Sequence, residues 1–270
     1  MEDFILKRLG IIGCGHLGMI IAEAYSKGLL ENYEFIGAFS GSKVKREAFS
    51  ALTGAKAVGS VDELIELNPD YIIETASVKA VKENALNILE HGISLVVISI
   101  GAFADNDFFE KVKETAAKSN AKVHIASGAI GGFDVLQTIH VMSLAGMGEQ
   151  KAELHNITNP EVFERFDYFR KRLTTKTEDC EVFYDTAKHA IELLPGRVNV
   201  AVATGIATCG PELAMSRQTS RPGVIGDYQH IKSGIEGYTA DINVYSCTSD
   251  IAAWSMVALL RNLASPVQFQ

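Results

Sequence analysis

Cysteine is scarce and scattered. Cys14, Cys180, Cys209 and Cys247 form no C-x-x-C pair, so neither a zinc site nor a disulfide framework is expected, and no metal is assigned. Basic charge is not in excess: 33 Asp and Glu against 25 Lys and Arg leave a formal net charge of −8. With no dominant basic face, no nucleic-acid partner is expected. No apolar run reaches the roughly 18–20 residues that span a bilayer, so no membrane partner is expected either. The start, M-E-D-F-I-L-K-R-L-G, lacks a signal peptide's uninterrupted apolar stretch and cleavage site. Internal repeats, low-complexity tracts and flexible linkers are also missing. The expectation is a soluble cytoplasmic protein.

The 270 residues are 47% apolar and 21% charged, ordinary for a chain with a sizeable core. That length holds two modest domains or one elaborated domain. Near the start, Leu9–Gly18 reads L-G-I-I-G-C-G-H-L-G. An apolar run ends in Gly13-x-Gly15-x-x-Gly18, and a helical pattern over Met19–Tyr25 follows at once. Strand, glycine turn and helix in that order form the phosphate cradle of a dinucleotide-binding unit. The first glycine allows the tight turn, the second lets backbone approach the pyrophosphate, and the third lets helix pack on strand. The helix N-terminus adds free N–H groups and partial positive charge. A glycine turn without a ligand is the competing reading, and the flanking strand and helix patterns weigh against it.

Strand-like and helical stretches then alternate. Strands are expected at Tyr33–Phe39, Ala55–Val58, Tyr71–Thr75, Leu95–Ile100 and Lys122–Ala126. Helices are expected after Arg46 through about Leu52, from Ser60 (a capping-box Ser with Glu63 three residues on), over Val78–His91 and over Phe108–Ser119. This rhythm implies an α/β domain with a doubly wound parallel sheet, its ligand at the carboxyl ends of the strands. Small and polar residues gather at those ends: Gly13, Ser40, Ala76-Ser77, Gly101-Ala102 and Ser127–Gly132.

From about Phe133 the rhythm changes. A helix over Asp134–Leu144 leads to strand-like stretches at Lys151–Asn156, Tyr168–Thr175, Gln229–Gly234 and Thr239–Tyr245. Helices are expected over Thr186–Leu193, ending at Pro195-Gly196, over Asn199–Thr208 and over Ser249–Ala264. The expected division is a dinucleotide-binding domain over 1–130, with 248–270 returning to it, and an α+β substrate and dimerisation domain over 131–247.

An NAD-preferring site usually places Asp or Glu about twenty residues after the glycines, on the ribose 2′-OH. Here that place holds Ser40, followed by Ser42, Lys43, Lys45 and Arg46. Hydroxyls and cations suit a 2′-phosphate, so NADP(H) is expected over NAD(H), with NAD(H) still possible. A solvated basic helix start is the plainer reading of the same charges.

Several separated segments carry a resemblance: the glycine loop; E-T-A-S at Glu74–Ser77; I-S-I-G-A-F-A-D at Ile98–Asp105; S-G-A-I-G-G-F-D at Ser127–Asp134; L-P-G-R-V-N-V-A at Leu194–Ala201; and His230 in Q-H-I-K-S-G-I-E-G. Together, over nearly the whole length, they resemble the L-aspartate dehydrogenase family, amino-acid dehydrogenases with a Rossmann domain and an α+β substrate domain. The resemblance implies reversible oxidative deamination, in which hydride passes from the amino acid's Cα to nicotinamide C4 and the imine is hydrolysed to a 2-oxo acid and ammonia. It implies Ala129 and Asn199 as nicotinamide contacts and His230 as the catalytic residue. Expected cofactor contacts are Gly13, Gly15, His16, Leu17, Gly18, Ser40, Ser42, Lys43, Ala76, Ser77 and Gly101. Histidine suits the role because its pKa lies near neutrality. Without the resemblance, His230 reads as a packed or surface histidine and Asn199 as a helix N-cap.

Three segments depart from the family. The T-R-K-P-P-like segment is Leu173–Glu178 without prolines, Arg197 replaces the first Asn of N-x-N, and the stretch between Gly210 and Tyr228 has no match. Lys176, Arg197 and Arg221 are candidates for clamping a dicarboxylate. An oxidoreductase on another 2-oxo or imino acid, or on a sugar, is the first alternative; sugar-oxidoreductase relatives usually carry an E-K-P lysine where this chain has I-S-I-G-A. A cofactor-binding sensor without turnover is the second. A homodimer is expected from an exposed edge of the second domain's sheet.

Overall fold

The computed structural model describes residues 6–194 and 198–269. The chain forms two compact units, one of residues 1–126 with 252–269 and the other of 127–251.

The first unit alternates β1 (Lys7–Ile12), α1 (His16–Ser26), β2 (Tyr33–Phe39), α2 (Lys43–Thr53), β3 (Lys56–Val58), α3 (Val61–Glu66), β4 (Tyr71–Glu74), α4 (Val78–Glu90), β5 (Ser94–Val97), a 3-10 turn (Ile100–Ala104), α5 (Asn106–Ser119) and β6 (Val123–Ile125). All pairings are parallel, in the order β3-β2-β1-β4-β5-β6. This is the doubly wound sheet that the alternation implies, with its switch point between β1 and β4.

Local chemistry explains the element ends. Ser60 Oγ accepts from Glu63 N, but the Glu63 carboxylate reaches Gly59 N at 2.8 Å, not the Ser60 N–H of a standard capping box. The expected strand over Leu95–Ile100 stops at Val97, because the chain turns at Ser99 to donate to Glu74. The fifth helix starts earlier than expected, since Asp105 caps it through Phe108 N.

The second unit holds α6 (Phe133–Leu144), β7 (Lys151–Thr158), α7 (Pro160–Glu164), α8 (Asp167–Arg170), β8 (Cys180–Thr186), α9 (Ala187–Leu193), α10 (Asn199–Ile206), β9 (Met215–Ser220), β10 (Asp227–Ile235) and β11 (Tyr238–Ser246). Its five strands run β11-β10-β7-β9-β8, with β7 and β9 parallel and the other pairs antiparallel. The strand expected over Tyr168–Thr175 is absent. Its first residues form α8, because Phe169 is fully buried among Phe163, Phe166, Tyr168 and Phe183 in an aromatic corner. The expected helix end at Pro195-Gly196 lies outside the described residues.

α11 (Asp250–Ala264) closes the chain, and most of it belongs to the first unit. Met256 and Leu260 join the core of Leu9, Ile21 and Phe35, and Tyr33 Oη donates to the Leu260 carbonyl at 2.7 Å. Among the described residues, no helix is long and apolar enough to cross a membrane.

Candidate active site

The loop after β1 has the geometry of a phosphate cradle. Gly13 turns with φ +108°, and a Cβ there would lie 2.7 Å from the Ala76 nitrogen. A Cβ on Gly18 would collide with the Gly13 carbonyl oxygen, which Thr75 Oγ1 already bonds at 2.6 Å. Gly15 differs: a Cβ there would meet nothing within 4 Å. As N-cap of α1 it brings no side-chain oxygen to the turn, and the helix start carries partial positive charge. The arrangement fits a dinucleotide pyrophosphate against Gly15. His16 opens the helix, and Leu17 packs on the core. Cys14 lies beneath, its thiol pushed up to about 12 by burial, and its Sγ faces the Phe39 carbonyl at 3.6 Å.

At the end of β2, Ser40 offers its carbonyl to Arg46 Nη1 at 3.0 Å. Ser42 caps α2, accepting from Lys45 N, and Lys43 pairs loosely with Glu47 at 3.7 Å. No carboxylate lies between Ser40 and Arg46. Arg46 therefore braces the turn whose exposed side chains are Ser42, Lys43, Val44 and Lys45.

Glu74, the first residue of E-T-A-S, has a role that its sequence pattern does not reveal. It sits at the end of β4 with 1% exposure. Its Oε1 accepts from Ala76 N, Ser77 N and Ser99 Oγ, and its Oε2 from Ser99 N, at 2.7–3.1 Å. One carboxylate thus ties the loops after β4 and β5 together. Burial pushes its pKa up, against the pull of those donors. Ser77 serves mainly as the N-cap of α4, through Ala80 N, and Gly101 is buried in the 3-10 turn.

In the second unit the sheet has two unlike faces. Side chains directly across antiparallel strands share a face. One exposed row therefore runs Asn243, His230, His155, Arg217, Tyr184 across β11, β10, β7, β9 and β8. His230 Nε2 meets Asp241 Oδ1 at 2.7 Å, and Asp241 also accepts from Asn243. That pairing holds the Asp241 carboxyl below its usual range. His155 Nε2 contacts Thr219 Oγ1 at 2.8 Å, and its pKa is lowered by burial and then by Arg217. Arg217 itself is held by Glu153 and Glu181. A pocket of about 920 Å³ takes in Tyr184 of this row together with Lys232, Ser233 and Asp241. Glu149, Glu153, Glu236 and Asp241 outnumber Lys151 and Lys232 around it, which disfavours a dicarboxylate.

The opposite face is covered. It carries Gln229, Ile231 and Ser233 of β10, Ile242 of β11, Asn156 of β7, and Ser216, Gln218 and Ser220 of β9. Helix α6 packs on β10 and β11, and α10 on β7 and β9. Gly132, at the end of the turn holding Ala129, lies against Ile242, where a Cβ would collide. Asn199 is the first residue of α10, whose N-cap is Val198, so it does not cap that helix. The structure therefore brings the turn of Ala129 and the helix of Asn199 to the covered side of the sheet and puts His230 on the exposed side.

The three proposed substrate cations fare differently. Lys176 is engaged by Glu164. Arg221 grips Asp179 with Nε and Nη2 at 2.6–3.0 Å. Arg197 lies outside the described residues. The two described cations are already paired, so neither is poised to clamp a dicarboxylate.

Comparison with known proteins finds a family match in each half of the chain. Residues 13–126 match the model described as homoserine dehydrogenase, NAD binding domain, and residues 134–263 match that of aspartate dehydrogenase, C-terminal. The L-aspartate dehydrogenase of Methanocaldococcus jannaschii is 30% identical over 272 residues, covering 97% of this chain and 99% of the relative. The chain belongs to the L-aspartate dehydrogenase family.

Another member, from Methanosarcina mazei, is 30% identical over 276 residues, with 97% and 99% covered. The crystal structure of aspartate dehydrogenase from Thermotoga maritima superposes with a TM-score of 0.74 at 25% identity, covering 98% of this chain and all of the other. Within this family layout, the segment between Gly210 and Tyr228 that the sequence could not place holds β9, a central strand of the second sheet.

Proposed function

We propose that this protein catalyses the reversible oxidative deamination of L-aspartate to oxaloacetate and ammonia, using NADP(H) in preference to NAD(H). The full-length match to L-aspartate dehydrogenases at 30% identity carries the reading. The open cradle at Gly15 supports the dinucleotide, and the acid-free turn from Ser40 to Arg46 supports the 2′-phosphate. When bound, the nicotinamide supplies the acceptor for the hydride leaving Cα.

The chain's own residues bind and orient. Gly15 receives the pyrophosphate on a loop that Gly13 turns and Gly18 packs, while Ser42, Lys43 and Lys45 face the 2′-phosphate. Glu74 keeps Ala76, Ser77 and Ser99 in place at the ends of β4 and β5. Ala129 and Asn199 orient the carboxamide, Asn199 through both its donor and its acceptor atoms.

In this reading the proton step rests on the His230–Asp241 pair. With Nε2 held by Asp241, Nδ1 of His230 is the atom that takes the ammonium proton. His230→Ala separates the two faces: near-complete loss of turnover favours the exposed row, and retention favours the covered side. We also read the protein as a cytoplasmic homodimer. The half-exposed Tyr184, Tyr228 and Tyr245 on the uncovered face support the dimer, and light scattering measures it.

One panel tests the reading: 2-oxo acids with ammonia and NADPH or NADH, followed at the nicotinamide absorbance. Oxaloacetate with NADPH is expected to give the highest kcat/KM. Turnover of a sugar or another oxo acid in its place overturns the substrate. Tight NADPH binding without any turnover makes the protein a sensor.

A further inference from the structure

Among the described residues, Glu74 is the one acidic or basic side chain that is buried. A carboxyl in such a place costs stability to keep, and an apolar side chain would fill the strand end at lower cost. Its position is therefore informative. Glu74 ends β4, where it pairs with Ile12 at the end of β1 and with Val97 at the end of β5. The loops that follow these three strands meet at the switch point of the sheet, where a doubly wound domain holds its dinucleotide.

A continuous set of contacts leads from the carboxyl to the cradle. Gly13 rests on the Thr75–Ala76 peptide: a Cβ on Gly13 would lie 2.7 Å from both Thr75 C and Ala76 N, and 2.9 Å from Thr75 O. Thr75 N donates to the Ile12 carbonyl at 2.9 Å, and Thr75 Oγ1 to the Gly13 carbonyl at 2.6 Å. The N–H of that same peptide, on Ala76, donates to Glu74 Oε1 at 2.7 Å. A peptide is planar, so fixing its N–H direction also fixes the carbonyl that stands beside Gly13. The Ser77 N–H shares Oε1, and Ser99 brings its N–H and its hydroxyl to the same carboxyl from the loop after β5. All four donors are backbone N–H groups or a hydroxyl, and none is a charged side chain.

We propose that Glu74 is a positioning residue for the dinucleotide: by fixing the Thr75–Ala76 peptide it sets the turn at Gly13, and with it the affinity for the cofactor. It does so from beneath the loops, without touching the cofactor. The pyrophosphate is common to NADPH and NADH, so Glu74 governs both alike, whereas the turn from Ser40 to Arg46 governs the choice between them. Small displacements of such a cradle have large effects, because oriented N–H groups bind an anion only in their proper directions. The inference rests on the dinucleotide reading of the cradle and is independent of the substrate that is turned over.

The test is fluorescence titration of the full-length protein with NADPH and with NADH, at a temperature where melts show every variant folded. Glu74→Gln sets an amide N–H against the donors, and Ser99→Ala removes one donor and keeps the carboxyl, so it decides the matter if Glu74→Gln does not fold. Tyr33→Phe is the control. It loses the buried bond to the Leu260 carbonyl in the same unit, at the opposite end of the sheet from Glu74. Glu74→Gln is expected to raise both dissociation constants by at least about tenfold, with their ratio held within about twofold, and Ser99→Ala to raise both by about threefold. Tyr33→Phe is expected to lower Tm while leaving both constants within about twofold of wild type. Unchanged constants in Ser99→Ala and in folded Glu74→Gln overturn the proposal, as does an equal loss in Tyr33→Phe, which makes the effect one of stability alone. A loss confined to NADPH also overturns it, because the effect then lies at the 2′-phosphate. A wild type that binds neither dinucleotide overturns the reading of the cradle, and the role of Glu74 with it.

Discussion

The two units bury polar groups to different effect. In the first, the buried polar atoms at the strand ends are matched, and Ser50 Oγ in α2 is the one orphan among the described residues: Glu74 takes four donors, Thr75 seals the Gly13 carbonyl, and Tyr33 pins α11. In the second, the covered sheet face concentrates amides and hydroxyls and leaves Gln229 Oε1 and Ser220 Oγ without partners. The first pattern describes a scaffold whose loops are held before anything binds. The second leaves two polar atoms unsatisfied on a sheet face packed under helices. Substitutions that remove equivalent atoms from each unit should therefore have opposite consequences.

The cradle should show the largest effects. Gly18→Ala leaves no room beside the Gly13 carbonyl, so both Tm and NADPH binding should fall, binding by about 100-fold or more. Gly15→Ala has free space around its new methyl, so Tm should hold while NADPH binding weakens. Thermal melts read beside fluorescence titration distinguish the two. Next in size is cofactor choice. Ser40→Asp restores the acid that repels a 2′-phosphate, and the ratio of kcat/KM for NADPH over NADH should drop by about 10- to 100-fold.

Glu74→Gln should cost about 1–3 kcal/mol in denaturant melts, since an amide cannot accept all four donors. Its pH dependence has a definite sign. Burial raises the carboxyl's pKa, so its stabilising contribution is full below the unfolded value and is lost as pH rises through the folded one. From the ordinary carboxylate range upward, the deficit of Glu74→Gln against wild type should therefore shrink. The smallest effects form a matched pair. Thr75→Val strips the buried Gly13 carbonyl of its donor and should cost about 1 kcal/mol, whereas Ser220→Ala removes an orphan and should be neutral or slightly stabilising.

Legibility in the sequence follows the same division. Leu95, Val96 and Val97 are fully apolar, as a strand buried on both faces must be, and the glycine spacing sets the loop before α1, so the first sheet could be read strand by strand. β9 could not. Its covered positions are Ser216, Gln218 and Ser220, so M-S-R-Q-T-S shows no apolar alternation although it lies inside the sheet. Tyr168–Thr175 misled in the opposite sense, because aromatic residues with high strand preference build a helical corner around Phe169. At the site, the motif near the end of the chain points to His230, and only strand register shows that it joins His155 and Arg217 in one row. Glu74 stands in the E-T-A-S segment at a strand end, but its role lies in three backbone N–H groups and the Ser99 hydroxyl, which no sequence pattern records.

The most direct test of the account is steady-state oxidation of NADPH and of NADH by the wild-type protein with oxaloacetate and ammonia. The account predicts turnover that needs both oxaloacetate and ammonia, with the higher kcat/KM for NADPH. No turnover with that pair, or a tenfold or greater preference for NADH, would contradict it.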